Sequence, residues 1–306
     1  MPRLLSLSTR VFSTTPSSFV SQNLTLSPSQ TTREGVEMLS KYGAVVIPSG
    51  LPQATVGQWR DACTRLVLSY TQLADRRGGL KMEKKGGFRE LVHKDVGRFD
   101  VNLDHVAGLR APATWSPSVD EKVVHGALLH AKVRIRAITN ATLGTNHVLN
   151  GFGFVLSKPG TAAQNWHIDS SHLFQPSDFP GPLPPALPWH FFTVFVPLFD
   201  PLLEIGPTEM ALGSHRYTDV LSNQVVEDQY PPSPVVSSIL QNRGVFTEKV
   251  LVTPGDVIIM DGRILHRGLE NSSGFERPLL YMSFCRPWYT EFPKSHHESR
   301  SLFASD

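Results

Sequence analysis

From about residue 145 onward the chain is a series of short apolar runs cut by turn residues. The runs cover 148–156, 189–198, 249–253, 257–260 and 278–285. Between them stand Lys158-Pro159-Gly160, Asp200-Pro201, Thr253-Pro254-Gly255 and Asn271-Ser272-Ser273-Gly274. Such runs are too short for the helices of a bundle, and the Pro and Gly breaks mark turns. The pattern predicts many short strands folded into a sandwich or barrel. With 24 prolines and 23 glycines, turn residues are plentiful enough for that architecture.

The first half reads differently. A short amphipathic helix is predicted over 32–39, capped at Thr31 or Thr32 and ended near Gly43. Ala44-Val45-Val46-Ile47-Pro48 is β-branched and predicts a strand. A helical period over 51–74 puts Val56, Trp59, Cys63, Leu66, Val67 and Tyr70 on one face. Another over 120–138 aligns Val124, Leu128, Ala131, Ile135 and Ile138. The fold class is therefore mainly β with flanking α-helices. Residues 75–90 carry Arg76, Arg77, Lys81, Lys84, Lys85 and Arg89. A solvated loop accounts for such a run, and a substrate-facing basic lid is the alternative. Six prolines in 175–188 predict a stiff loop.

Composition removes several function classes. The net charge of +2 gives no case for a nucleic-acid partner or a membrane surface. No apolar run reaches the roughly 18 residues of a spanning helix. Cys63 and Cys285 are too few for a disulfide framework, and no Cys/His cluster suggests zinc. Residues 1–33 contain no acid, 14 Ser or Thr, and Arg3, Arg10 and Arg33. This resembles an organelle transit peptide, with Ser8-Thr9-Arg10-Val11-Phe12-Ser13 like the end of a mitochondrial presequence. A disordered tail explains it equally. A secretory signal is disfavoured because 4–7 is too short an apolar core. Neither terminus carries a peroxisomal address, since the chain ends Ala304-Ser305-Asp306. The compartment is mitochondrial or cytoplasmic rather than secreted, and no feature speaks to oligomeric state.

The residues with chemical meaning are Trp166-His167-Ile168-Asp169, then His266, then Arg277. On a strand, positions i and i+2 face the same way, so His167 and Asp169 converge on one point. His266 follows the apolar run 257–260 and supplies a third ligand from a distant segment. Two histidines and one carboxylate on one side of a metal leave open positions, the pattern of non-haem Fe(II) oxygenases. Arg277 lies eleven residues after His266, across the turn at 271–274. If the flanking runs pair as a hairpin, its planar fork stands near the metal and can grip a carboxylate in bidentate fashion. An HxD tripeptide alone is weak; the ordered set is more demanding.

That set resembles the phytanoyl-CoA dioxygenase family of Fe(II)/2-oxoglutarate-dependent oxygenases. The matching pieces are Gln164-Asn165-Trp166-His167-Ile168-Asp169, Gly206-Pro207-Thr208-Glu209, Gly213-Ser214-His215, Pro254-Gly255-Asp256, and His266-Arg267-Gly268-Leu269-Glu270-Asn271-Ser272 through Arg277-Pro278. Weaker similarity extends to 33–48 and to Arg286-Pro287-Trp288. The resemblance implies a double-stranded β-helix (jelly-roll, cupin-like) core at about 145–286, inside a dioxygenase domain at 31–292. A tail or targeting segment (1–30) precedes this domain and a tail (293–306) follows it. It implies Fe(II) held by His167, Asp169 and His266, with 2-oxoglutarate anchored by Arg277. It further assigns Gln164 and Thr193 to co-substrate binding, as in related fungal enzymes, and makes Arg98 a candidate upstream contact. The implied reaction consumes 2-oxoglutarate and O2, releases succinate and CO2, and oxidises a C–H bond of a small-molecule substrate. The sequence departs from the family at Leu212 and at Glu204-Ile205-Gly206, and carries Gly268 where some members have Ser.

Other residues read as structure. His172 is a loop or substrate-pocket residue, His190 core or surface, and His215 a turn residue. Trp166, Phe174 and Trp189 pack or wall a pocket, and Cys285 lacks a base that would make it a nucleophile. Asp169 argues against a halogenase, which needs that position vacated. Hydroxylation is the expected outcome, with desaturation and ring rearrangement open. Two rivals stand beside this reading: a cupin-like metalloenzyme without 2-oxoglutarate, for which Arg277 has no use, and a non-catalytic jelly-roll binding module.

Overall fold

The computed structural model describes residues 23–27, 29–80, 88–109, 115–174, 188–217, 242, 245–289 and 301–303. Most of the N-terminal segment, Lys81, Lys84, Lys85, the proline loop except Pro188 and most of the C-terminal tail lie outside them.

Helix α1 (Thr32–Tyr42) starts in a capping box. The Glu34 N–H donates to Thr31 Oγ1 at 3.5 Å, and the Thr31 N–H donates to Glu34 Oε2 at 2.6 Å. Gly43, at φ 81°, ends the helix, and its N–H donates to the Leu39 carbonyl. Helix α2 (Gln53–Arg76) buries the whole stripe expected of it, from Val56 to Tyr70. Helix α3 (Val119–Leu143) starts in a second capping box, Ser118 with Glu121.

In chain order the strands are β1 (Ala44–Ile47), β2 (Leu91–Asp95), β3 (Arg98–Asn102), β4 (Val148–Ser157), β5 (Phe191–Pro197), β6 (Thr208–Leu212), β7 (Phe246–Lys249), β8 (Val257–Asp261), β9 (His266–Gly268) and β10 (Arg277–Cys285). Seven form one antiparallel sheet in the order β1-β8-β5-β10-β4-β3-β2, and three form a second, β7-β6-β9. The architecture is mainly β with flanking helices, as the sequence pattern predicts. The run 249–253 is a correction. The strand there is β7, ending at Lys249, and 250–253 continue without regular structure. Val250 and Val252 are apolar because they fill the space between the sheets, not because they extend a ladder.

Alternation along the strands builds two cores. Phe152, Phe154, Leu156, Val194, Val196, Leu280, Met282 and Phe284 turn toward the helices. Their strand neighbours turn the other way, where Phe195, Ile258, Met260 and Leu279 meet Met210 and Leu212 of the smaller sheet. The large sheet is therefore buried on both faces, which is why β5, β8 and β10 read as continuous apolar runs. Toward one end of the inner face the apolar side chains give way to a cavity.

Candidate active site

His167 and His266 are held together by a single antiparallel bridge between their backbones. The His167 N–H donates to the His266 carbonyl at 3.0 Å, and the His266 N–H donates back at 2.9 Å. The two rings lie 4.3 Å apart, centroid to centroid. The expectation that His167 and Asp169 share a strand is corrected. Only His167 pairs, and Asp169 sits in the turn beyond it. There the N–H groups of Asp169 and Ser170 both donate to the Gly262 carbonyl, at 2.8 and 2.9 Å. That curl, rather than the pleat, aims the carboxylate inward. One ligand atom from each of His167, Asp169 and His266 lies within 4.8 Å of the other two.

The protonation chemistry of this group suits a cation. His167 Nδ1 lies 2.9 Å from the Asn165 carbonyl, and His266 Nδ1 lies 3.1 Å from the Ile264 carbonyl. A carbonyl only accepts, so each Nδ1 carries a hydrogen, and Nε2 is the nitrogen each ring has left to face a cation. Burial, and then repulsion by His266, push the His167 imidazolium down to about 4, so the ring is neutral at physiological pH. Asp169 Oδ2 accepts from the Thr193 hydroxyl at 2.6 Å, and Oδ1 lies 3.7 Å from His266 Nε2. Two oriented imidazoles and a steered carboxylate could hold a metal ion on one face, with Thr193 and two backbone carbonyls directing the donors.

Arg277 opens β10, whose pairing partners are β4 and β5. The hairpin expected between the His266 and Arg277 segments does not form. β9 pairs with β6 in the other sheet, and 269–276 cross between sheets. The crossing still returns Arg277 to the cavity that His167, Asp169 and His266 line. Its side chain is 3% exposed, and it donates to Ser157 Oγ at 3.0 Å and weakly to the Leu269 carbonyl at 3.4 Å. Its Nε has no partner, and no carboxylate pairs with it among the described residues. Burial, then the nearby Arg98 charge, push it down to about 9, so it remains a cation at neutral pH. Burying such a cation costs several kcal/mol unless an anion joins it.

Gln164 lies beside Arg277. Its N–H donates to the Gly268 carbonyl at 2.8 Å, and its Oε1 accepts from the Gly268 N–H at 2.9 Å. A Cβ at Gly268 would stand 2.7 Å from Gln164 Oε1 and 3.0 Å from an Arg277 terminal nitrogen. The absence of a side chain at Gly268 makes room for this contact. Arg98 does not line the cavity; it lies behind Ser157, 1% exposed.

The cavity measures about 310 Å³. Sequence reasoning missed part of its lining. Lys94 pairs with Asp100 at 2.7 Å, and the Tyr281 hydroxyl donates to the other Asp100 oxygen at 2.8 Å. The signal was the alternation Asp100, Asn102 against Val101, Leu103, which marks a strand with a polar inner face. The remaining candidates sit elsewhere. Trp166 packs under Arg267, whose guanidinium lies 4.5 Å over its ring, and Trp189 packs on the helix-side core. His190 and His215 are buried outside the cavity, and His172 is also absent from its lining. Burial pushes the Cys285 thiol up to about 11.

The phytanoyl-CoA dioxygenase (PhyH) family model matches residues 39–279. The chain belongs to the phytanoyl-CoA dioxygenase family. Among curated proteins it is 26% identical over 175 residues to the multifunctional dioxygenase ausE of Penicillium brasilianum. That stretch is 57% of this chain and 53% of the relative, so the chain spans about half the length of the curated protein it matches. Among solved structures it is similar to AviO1 from Streptomyces viridochromogenes Tue57, at 18% identity and TM-score 0.51, over 86% of this chain and 98% of that one. It is also similar to the non-heme alpha ketoglutarate dependent carbocyclase SnoK from nogalamycin biosynthesis (17%, TM-score 0.52, covering 84% and 86%). A third likeness is to the epimerase SnoN in complex with Fe3+, alpha ketoglutarate and nogalamycin RO (16%, TM-score 0.55, covering 83% of each chain). At these identities the likeness is one of fold, and that fold is the jelly roll. Members of the phytanoyl-CoA dioxygenase family work with Fe(II), 2-oxoglutarate and O2, and the donor set of His167, Asp169 and His266 suits that metal. Among the described residues, no helix is long and apolar enough to cross a membrane.

Proposed function

We propose that this chain is an Fe(II)- and 2-oxoglutarate-dependent dioxygenase that hydroxylates an unactivated C–H bond of a small organic or lipid-like metabolite. His167, Asp169 and His266 would hold the metal, and Arg277 the far carboxylate of 2-oxoglutarate. Bound iron with 2-oxoglutarate and O2 supplies an oxidant able to take hydrogen from such a bond, with succinate and CO2 released. The protein's own residues do the rest. Thr193 steers the Asp169 carboxylate. Gln164 clasps Gly268 beside the anchor. Ile168, Phe191, Phe195, Val155 and Leu279 give the cavity apolar walls that exclude water from the reacting carbon.

The observation that carries this reading is the pairing, in one cavity, of a His–Asp–His group able to hold a cation with a buried arginine that has no acidic partner among the described residues. A cupin-like enzyme without 2-oxoglutarate would leave that buried charge without purpose. The test is anaerobic addition of Fe(II) and then 2-oxoglutarate. A weak visible charge-transfer band is expected, and its absence would count against the proposal. Arg277→Ala should weaken 2-oxoglutarate binding at least about a hundredfold, the loss of a charge-assisted bidentate contact, while leaving iron binding nearly intact. Equal loss of both would contradict the anchor role.

A further inference from the structure

Arg277 is not the only guanidinium at its end of the cavity. Across the sheet, Arg98 of β3 pairs in register with Ser157 of β4, and Ser157 pairs with Arg277 of β10. The three stand in one row. Arg98 Nε donates to Ser157 Oγ at 3.3 Å, and Arg277 donates to the same oxygen at 3.0 Å. One buried hydroxyl thus joins two buried cations, and neither makes a carboxylate ion pair among the described residues. Asp95, the register partner of Arg98 on β2, favours the Arg98 charge from a distance, and no acid does so for Arg277. Arg98 also donates to the Ala162 carbonyl at 2.7 Å, two residues before Gln164. Its other neighbours are close-fitted. A Cβ at Gly97 would stand 2.7 Å from Thr161 Oγ1, and the Lys158 N–H donates to the Gly97 carbonyl at 2.8 Å.

Proteins seldom bury two like charges side by side without an acid between them. The arrangement persists most readily where an anion completes it. The open side belongs to Arg277, which lines the cavity; Arg98 is closed off behind Ser157. We propose that Arg98 is a positioning residue that makes the site selective for a 2-oxo diacid. From behind the wall it fixes Ser157 Oγ against Arg277 and adds a second positive charge to the place where the far carboxylate sits. This rests on the proposed 2-oxoglutarate chemistry and goes beyond it. The selectivity is assigned to a residue that never touches the co-substrate. Burial pushes Arg98 down to about 10 and Arg277 to about 9, so both stay charged at neutral pH and both gain from an incoming anion.

A bland role is available, in which Arg98 only braces the 158–162 turn through Ala162. The two roles separate on a pair of ligands. 2-Oxoglutarate carries the far carboxylate; 2-oxopentanoate has the same five-carbon chain and the same chelating end, but a methyl group there. Fe(II)-loaded protein would be titrated anaerobically with each acid, following the charge-transfer band. Arg98→Met should raise the dissociation constant for 2-oxoglutarate by about tenfold or more, the usual size for an outer partner. It should leave that for 2-oxopentanoate within about twofold. Ser157→Ala should shift in the same direction by less, and Arg98→Lys should recover part of the loss. Equal weakening of both acids, or no change in either, overturns the inference. If Arg98→Met fails to fold, Ser157→Ala and Arg98→Lys decide it, and unchanged diacid preference in both is a refutation. A wild-type protein that gives no band with either acid instead removes the underlying functional proposal.

Discussion

Thr193 shows how little of a side chain's task its position gives away. It lies on β5 facing inward, and the family resemblance assigns it to the co-substrate. Its hydroxyl donates to Asp169 Oδ2 at 2.6 Å, so its contact is with the carboxylate itself. A carboxylate with one oxygen tied back presents the other in a fixed direction. Thr193→Val keeps the shape and removes the donor. It should weaken Fe(II) binding by about tenfold to a hundredfold, with Thr193→Ser close to wild type. Metal titration in the absence of 2-oxoglutarate measures this, and a variant with normal iron binding but weakened co-substrate binding would return Thr193 to the other role. The convergence of His167, Asp169, His266 and Arg277 was legible from residue type and order. The means of convergence was not. The His167–His266 bridge and the turn onto Gly262 are long-range backbone pairings, and no local pattern encodes them.

Among the elements, β4 is the most constrained by what it lacks. Gly153 faces inward, and a Cβ there would stand 2.2 Å from the Val101 carbonyl oxygen and 2.6 Å from the Tyr281 hydroxyl. One obstacle is backbone and cannot rotate away, so β3 would have to move off β4. Gly153→Ala should cost about 3 kcal/mol, the upper end for overpacking, and disturb the Tyr281–Asp100–Lys94 group at the same time. Gly57 in α2 is the opposite case. The nearest atom to an added Cβ is the mobile Arg60 guanidinium at 3.8 Å, and the backbone is helical. Gly57→Ala should stabilise by about 0.5–1 kcal/mol. Urea unfolding of the two variants checks both signs. The contrast also explains which elements could be read from sequence. The helices declare themselves through caps and periodicity, and β5, β8 and β10 through apolar runs. β2 and β3 carry Lys94, Asp100 and Asn102, because a strand that lines a polar cavity must give up the apolar pattern that would identify it. β9 has three residues, too few for any period to show.

The molecule as a whole should be sensitive to acid, for reasons away from the cavity. His215 lies in the 3-10 turn Ser214–Arg216, 4% exposed, pressed against Gly43 at the end of α1. Its Nε2–H donates to the Ser40 carbonyl at 3.3 Å, and its Nδ1 is buried without a partner. Burial is the main cause that pushes its pKa from 6.5 to about 4. The Arg263 and Arg216 charges add to the shift, and Asp261 and the Ser40 carbonyl oppose it. The folded ring therefore resists a proton that the unfolded ring accepts. Above the unfolded value both states are neutral, and the group has no effect on stability. As pH falls below 6.5 the unfolded chain binds the proton first, and the folded state loses ground until about pH 4, where both are charged. The full loss is of order 3 kcal/mol, and roughly 2 kcal/mol of it is reached by about pH 5. His172, pushed down to about 3 by burial, adds a loss of the same sign. His215→Gln keeps an N–H for the Ser40 carbonyl but cannot titrate. Urea unfolding at neutral pH and at about pH 5 should show a shallower decline for the variant than for the wild type, with the two stabilities approaching each other in acid. Parallel declines would mean that the imidazole is accommodated charged, and that the junction between α1 and the smaller sheet opens enough to hydrate it.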